Sequence, residues 1–287
     1  MSKPSQSWWQ RPGVRSAGRV LRVLFLSYFG FCLVLFALQR RMIYLPQVLT
    51  AEQNHRLART LGMRAIENNG QFLGWAVGPE EADGVILIFH GNAGNAVHRD
   101  YFSYLFHNQT ATENHALWIM EYPGYGHRGG RPSQASFFRA GEEFLQLART
   151  QFSEVILVGE SLGGGVASYL AGSFPEDVTA VLLITPFDRL NSIARYHYPW
   201  LPTGLFLLDR FPNDQHLAGF DGPVGIVVAE NDAVIPVAAS RRLYESFSGP
   251  KLFRLQEGAD HNTLYFGPDL SFWEEMTAFL RAGLVSD

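Results

Sequence analysis

The sequence is short of cysteine, of charge and of any signature for a bound metal. Its one cysteine, Cys32, excludes an intramolecular disulfide framework and a cysteine-based metal site. A chain without disulfides folds in either redox environment, so this absence leaves the compartment open. The nine histidines have no zinc-like spacing. Only 17% of residues are charged and the net charge is −4, so no global basic excess is present to hold a nucleic acid. Internal repeats and low-complexity segments are also lacking. What remains is a 287-residue chain, 47% hydrophobic, with material for one large α/β domain or two small ones.

Charge is missing altogether from Val23 to Leu38, VLFLSYFGFCLVLFAL. With Val20, Leu21 and an Arg22 free to snorkel, the run reaches about the 20 residues that a membrane helix needs. A buried core helix and a cleaved signal peptide are the competing readings. Against cleavage, the run ends in Ala37-Leu-Gln-Arg-Arg41 with no small-x-small pattern, and Phe29-Gly-Phe-Cys32 does not resemble a lipoprotein site. Residues 20–39 therefore read as an uncleaved transmembrane signal anchor, preceded by a basic, mobile tail at 1–19. Lys3, Arg11, Arg15, Arg19 and Arg22 precede the centre of the span, and Arg40 and Arg41 follow it. That bias puts the tail in the cytoplasm and residues 40–287 outside it, in the periplasm of a Gram-negative cell.

From Phe72 onward, apolar runs alternate with helical patterns. Strands are expected at Phe72–Val77, Val85–Phe89, Ala116–Met120, Val155–Val158, Ala180–Ile184, Val224–Val228 and Leu252–Leu255. Several are continuously apolar, as strands buried on both faces must be. Helices are expected at Thr50–Leu61 with Thr50 as cap, then at Asn95–Phe106, Gln134–Arg149, Leu162–Ala171, Val237–Phe247 and Leu270–Leu280. The alternation predicts βαβ units and a mainly parallel sheet flanked by helices. The interval between Ile184 and Val224 is long for a bare connection and is rich in Pro and aromatics, as in Tyr196-His-Tyr-Pro-Trp-Leu-Pro202. Residues 188–222 are expected to form a small cap.

The chemistry centres on VILVGESLGGG, Val155 to Gly165. It fits Gly-x-Ser-x-Gly between a strand and a helix. A serine on such a sharp turn is held in a strained backbone with its hydroxyl above the sheet. Side chains at the −2 and +2 positions would collide with the turn, which accounts for Gly159 and Gly163. Gly164 and Gly165 would let the following helix pack close to neighbouring strands. Ser161 is the expected nucleophile, and it needs a base. Partners on this fold come in the order acid, then histidine. Ala229-Glu-Asn-Asp-Ala-Val-Ile-Pro236 offers Asp232, with Glu230, Asp209 and Asp260 as lesser candidates and helix capping as the plain alternative for Asp232. Glu257-Gly-Ala-Asp-His-Asn262 offers His261. Phe89-His-Gly-Asn-Ala-Gly-Asn95 is the loop expected to supply an oxyanion donor, the N–H of Asn92, with the N–H of Leu162 as the second. His90 reads as structural. The glycines of that loop belong to no phosphate-binding pattern.

HGNAGN, EYPGYGHRGGRPS, GESLGGG, ENDAVIP and GADHN, in this order and spacing, resemble the alpha/beta-hydrolase superfamily. More narrowly, they resemble its single-pass, membrane-anchored branch, which also includes depalmitoylase-like proteins. The resemblance spans residues 40–284, including the RRMIYLP after the anchor. It implies the alpha/beta-hydrolase fold, a triad of Ser161, Asp232 and His261, and an oxyanion hole at Asn92 and Leu162, with no cofactor or metal. Two departures are Glu121, where relatives often carry Asp, and Pro123 in the same segment. Glu121 is expected to affect packing rather than chemistry, and Pro123 a loop near the site. The expected activity is hydrolysis of carboxyl esters or thioesters through an acyl-enzyme, on a small-molecule, lipid-like or protein-borne acyl substrate. A serine peptidase or amidase would carry the same triad, and a non-catalytic membrane-anchored interaction protein could reuse the fold.

Overall fold

The structure, a computed structural model, describes residues 12–82, 84–267 and 271–282. Lys3 and Arg11 of the tail, Leu270 at the expected helix start and residues 283–287 lie outside the described residues.

Eight strands make the central sheet: β1 (Arg64–Asn68), β2 (Gln71–Val77), β3 (Gly84–Phe89), β4 (His115–Met120), β5 (Glu154–Glu160), β6 (Ala180–Ile184), β7 (Val224–Ala229) and β8 (Lys251–Gln256). Across the sheet they run β8-β7-β6-β5-β3-β4-β2-β1. The pairs from β8 to β4 are parallel, while β2 is antiparallel to both β4 and β1. This is the fold the motifs implied. Expected strand positions hold to within two residues. β1 was not legible because Arg64-Ala-Ile-Glu-Asn68 buries only Ile66 and shows no apolar run.

The continuous apolar runs divide cleanly between two cores, as a two-residue side-chain period requires. Val85, Leu87, Val155, Leu157, Val181 and Leu183 face one layer. That layer is built from α4 (Gln134–Arg149), α5 (Gly163–Ser173) and α9 (Val237–Ser246). Ile86, Ile88, Ile156, Val158, Leu182 and Ile184 face the other. It holds α3 (Tyr101–Phe106) and α10 (Ser271–Ala282), with one face of α2 (Ala51–Thr60) at its margin. Local capping follows the sequence: Thr50 and Gln53 close a capping box on α2, and Ser133 caps α4. The helix expected at 95–106 is shorter, a 3-10 turn at Ala96–His98 followed by α3, because the loop ahead of it is held to the site.

The amino-terminal helix, α1 (Pro12–Ile43), is 32 residues long, or about 48 Å. It starts inside the stretch expected as tail and runs past the expected end of the span. Pro12 reads as a breaker in sequence, yet at the first helical position its fixed φ suits a helix start.

The expected cap at 188–222 divides in two. α6 (Leu190–His197) and α7 (Thr203–Phe206) stand over the carboxyl edge of the sheet. α8 (Asn213–Leu217) instead belongs to the core. Phe211, Leu217 and Phe220 are buried. A Cβ on Gly172 of α5 would lie 1.7 Å from the His216 carbonyl, so α5 and α8 touch backbone to backbone.

Candidate active site

All five expected residues lie beyond the carboxyl ends of strands, where open α/β sheets bind ligands. Ser161 follows β5, next to the order reversal at β3. Its φ is +51°, a left-handed value that a β-substituted residue adopts only under constraint. The constraint is the elbow. A Cβ on Gly159 would lie 2.5 Å from Gly164 Cα, and one on Gly163 would lie 1.9 Å from the Phe89 carbonyl oxygen. Ser161 N–H donates to the Ile184 carbonyl at 2.8 Å, tying the turn to the end of β6. The role expected of the next two glycines is different in detail. A Cβ on Gly164 would meet only ordinary contacts, while one on Gly165 would meet the Phe211 ring at 2.4 Å, ahead of α8 rather than a strand.

His261 Nε2 stands 3.2 Å from Ser161 Oγ, and its Nδ1 is 2.7 Å from Asp232 Oδ2. With the proton on Nδ1 donated to the carboxylate, Nε2 is left as an acceptor for the serine hydroxyl. Asp232 divides its oxygens. Oδ2 serves the imidazole, while Oδ1 accepts the N–H groups of Val234 and Ile235 at 2.8 and 2.7 Å. Its turn-forming role and its contact with His261 therefore coexist. α9 begins five residues later, with Pro236 at its N-cap position.

The lesser acid candidates go elsewhere. Glu230 accepts from Gly258 N–H at 2.9 Å and braces the loop that carries His261. Asp209 pairs with Arg40 of α1. Asp260 accepts from Asn262 N–H at 2.8 Å, and that backbone bond holds its carboxyl below the usual range.

Asn92 and Leu162 border the same cavity as Ser161. Asn92 is fixed through its carbonyl, which accepts from Leu45 N–H (3.0 Å) and the Tyr125 hydroxyl (2.7 Å). Its side-chain amide also donates to the Ile43 carbonyl at 2.8 Å. The Asn92 and Leu162 N–H groups donate to no partner among the described residues. His90 is buried, bonded through Nδ1 to its neighbour's carbonyl and packed against Tyr122.

Three side chains support this loop; sequence reading missed Glu160 and Arg99, and expected the third, Glu121, to act through packing. Glu160, the residue before the serine, accepts from Gly91 N–H at 3.2 Å and lies 3.3 Å from Arg99. Glu121 is fully buried, accepts from Ala96 N–H at 3.1 Å and lies 3.7 Å from His90 Nε2. For Glu160, its position at the end of β5 was the available signal. Arg99 had none, since a basic residue after a loop is ordinarily solvated. Pro123 lies in a turn closed by Tyr125 N–H to the Tyr122 carbonyl at 2.9 Å and does not line the cavity.

The cavity over Ser161 has a volume of about 460 Å³ and a largely apolar lining. Phe187, Ile193, Leu201 and Phe206 come from the core and cap side, with Val234 and Ile235 from the acid loop. Among the described residues there is no cluster of His, Cys, Asp and Glu that could hold a metal ion.

A family model for the alpha/beta hydrolase fold matches residues 84–221. An uncharacterized Mycobacterium tuberculosis protein is 30% identical over 253 residues, covering 85% of this chain and 87% of that one. The lysophosphatidylserine lipase ABHD12 of Danio rerio is 29% identical over 226 residues, 69% of this chain and 58% of that one. Among solved structures, Est1E from Butyrivibrio proteoclasticus superposes with a TM-score of 0.60 at 14% identity, covering 77% of this chain and 99% of that one.

Proposed function

The chain belongs to the alpha/beta-hydrolase family, and on that premise we propose that it is a membrane-anchored serine hydrolase cleaving carboxyl ester or thioester bonds of acyl substrates. The observation that carries this reading is the unbroken hydrogen-bonded run from Asp232 through His261 to a serine at positive φ. Ser161 Oγ attacks the acyl carbonyl carbon as its proton passes to His261 Nε2. The carbonyl oxygen becomes an oxyanion and is met by the N–H groups of Asn92 and Leu162. Asp232 keeps the imidazole oriented and stabilises its charged form. As the tetrahedral centre collapses, His261 returns the proton to the leaving alcohol or thiol, and the acyl group stays on Ser161. A water deprotonated by His261 then attacks the acyl-enzyme, releasing the carboxylic acid and restoring the serine. No step calls for a metal or cofactor.

An acyl, lipid-like substrate is supported by the apolar cavity and by the lipase relative. Anchoring is supported by the apolar run Gly18–Ile43, which is long enough to cross a bilayer and mostly exposed.

The test is labelling with a fluorophosphonate probe, comparing the wild type with Ser161→Ala. Labelling of the wild type alone is expected. A folded wild-type protein that does not label would overturn the serine-hydrolase reading, and equal labelling of the variant would overturn Ser161 as nucleophile.

A further inference from the structure

One wall of the cavity lies outside the hydrolase core. Phe31, Leu35, Phe36, Gln39 and Met42 of α1 border the same space as Ser161. Phe31, Leu35, Gln39 and Met42 recur at intervals of four, four and three, which places them on one helical face.

That face is clamped to the cap by specific contacts. The Gln39 side-chain amide donates to the Phe206 carbonyl at 3.2 Å, and its oxygen accepts from Leu208 N–H at 2.8 Å. One side chain thus satisfies two main-chain groups where hydrocarbon could not. The Tyr28 hydroxyl donates to the Trp200 carbonyl at 2.6 Å, and Phe31 and Phe36 pack on Trp200 and Phe206 at 5.9 and 6.1 Å. Arg40 closes the base of the clamp on Asp209 through two bonds of 2.8 and 3.1 Å.

The dimensions fit an occupant. From Phe31 to Met42 is about 16 Å of helix, close to the ~15 Å of hydrocarbon in one leaflet. The cavity's 460 Å³ lies in the lower half of the ~300–1,000 Å³ range of small-ligand sites, room for one acyl chain rather than two. The outer surface points the same way. Tyr196, Trp200, Leu205 and Leu208 of the cap segment are exposed, Leu205 at 82%, beside the exposed apolar face of α1. In water an exposed apolar surface of this kind would be a liability, and hydrocarbon would cover it.

We infer that the membrane helix is a wall of the acyl pocket, and that the substrate is a single-chain acyl lipid entering from the bilayer leaflet between α1 and the cap. This rests on the serine-hydrolase reading above, and the test separates the two. The full-length protein in lipid nanodiscs is assayed on p-nitrophenyl butyrate and palmitate. Leu35→Trp fills the cavity from the helix side, and Val34→Trp places the same bulk on an exposed position of α1.

The palmitate-to-butyrate ratio of kcat/KM is expected to fall by about tenfold or more in Leu35→Trp and by less than about twofold in Val34→Trp. Fluorophosphonate labelling of Ser161 in both variants reports an intact elbow. An unmoved ratio in Leu35→Trp, or an equal fall in both variants, would overturn the inference. If the wild type neither labels nor hydrolyses either ester, it is the hydrolase reading that has failed. The pocket is then decided by irradiating the protein with a palmitic acid carrying a terminal diazirine. Adducts on residues 31–42 support the wall, and adducts confined to other segments overturn it.

Discussion

Ser161 is held at a backbone angle that costs on the order of 1–3 kcal/mol, and the turn persists because its neighbours leave the chain no other course. Among the glycines of the elbow, Gly163 has the least freedom, since its Cβ would sit 1.9 Å from the Phe89 carbonyl oxygen. Gly163→Ala is expected to cost about 3 kcal/mol and to lower Tm by roughly 5–10 °C in a thermal melt. Gly164→Ala next to it meets nothing nearer than 3.6 Å and should leave Tm within about 2 °C, helped by its better helix propensity. Asp232 makes a different prediction because its two oxygens do different work. In Asp232→Asn the amide oxygen can still accept the Val234 and Ile235 N–H groups, so the fold should hold. The amide NH₂ then faces His261 Nδ1 and favours the tautomer with its proton on Nε2, pointing at Ser161. A fall in kcat of about 10³–10⁴-fold with Tm nearly unchanged is the expected outcome. A parallel loss of Tm would assign Asp232 mainly to the turn.

At the scale of elements, the contact between α5 and α8 shows how a polar ring is built into an apolar joint. His216 of α8 stands edge-on to Phe138 and Tyr169 at 5.4 and 5.3 Å. Burial pushes its pKa below the ordinary imidazole value, with Asp214 opposing. His127, stacked on Phe72 at 4.0 Å between α2 and the sheet, shifts in the same direction, again chiefly through burial. The unfolded chain takes up these protons as pH falls through about 6.5, and the folded chain does not. Stability present above that pH is therefore lost progressively below it. Tm is expected to fall between pH 7 and pH 5, and His216→Gln should make the fall shallower. An unchanged slope would mean that other groups carry the acid sensitivity. The long connection from β6 to β7 reads in sequence as one cap, and the structure splits it between lid and core. Its Pro and aromatic content marks irregular packing without saying against what. Phe211 and Leu217 are buried on α5, whereas Trp200 and Leu205 are exposed.

For the whole molecule, the basic bias before the span predicts an extracytoplasmic catalytic domain. In a Gram-negative host, an alkaline phosphatase fused after Asp287 should be active and a fluorescent protein fused there dark, and the reverse pattern would invert the topology. The amino-acid sequence by itself determined seven of the eight strands of the sheet, the elbow and the order of Ser161, Asp232 and His261. Those signals are local: a buried strand must be apolar, a sharp turn must carry glycine, and the loops that follow strands collect on one edge. Sequence also marked α1 as apolar, but not what covers it. A helix face buried by lipid and one buried by a cap have the same composition and the same period, so nothing in the run Val23–Leu38 distinguishes them. Only the tertiary structure decided that Tyr28, Gln39 and Arg40 meet Trp200, Phe206 and Asp209, each pair separated by roughly 170 residues of chain. That meeting brings an apparent anchor to within one cavity of Ser161.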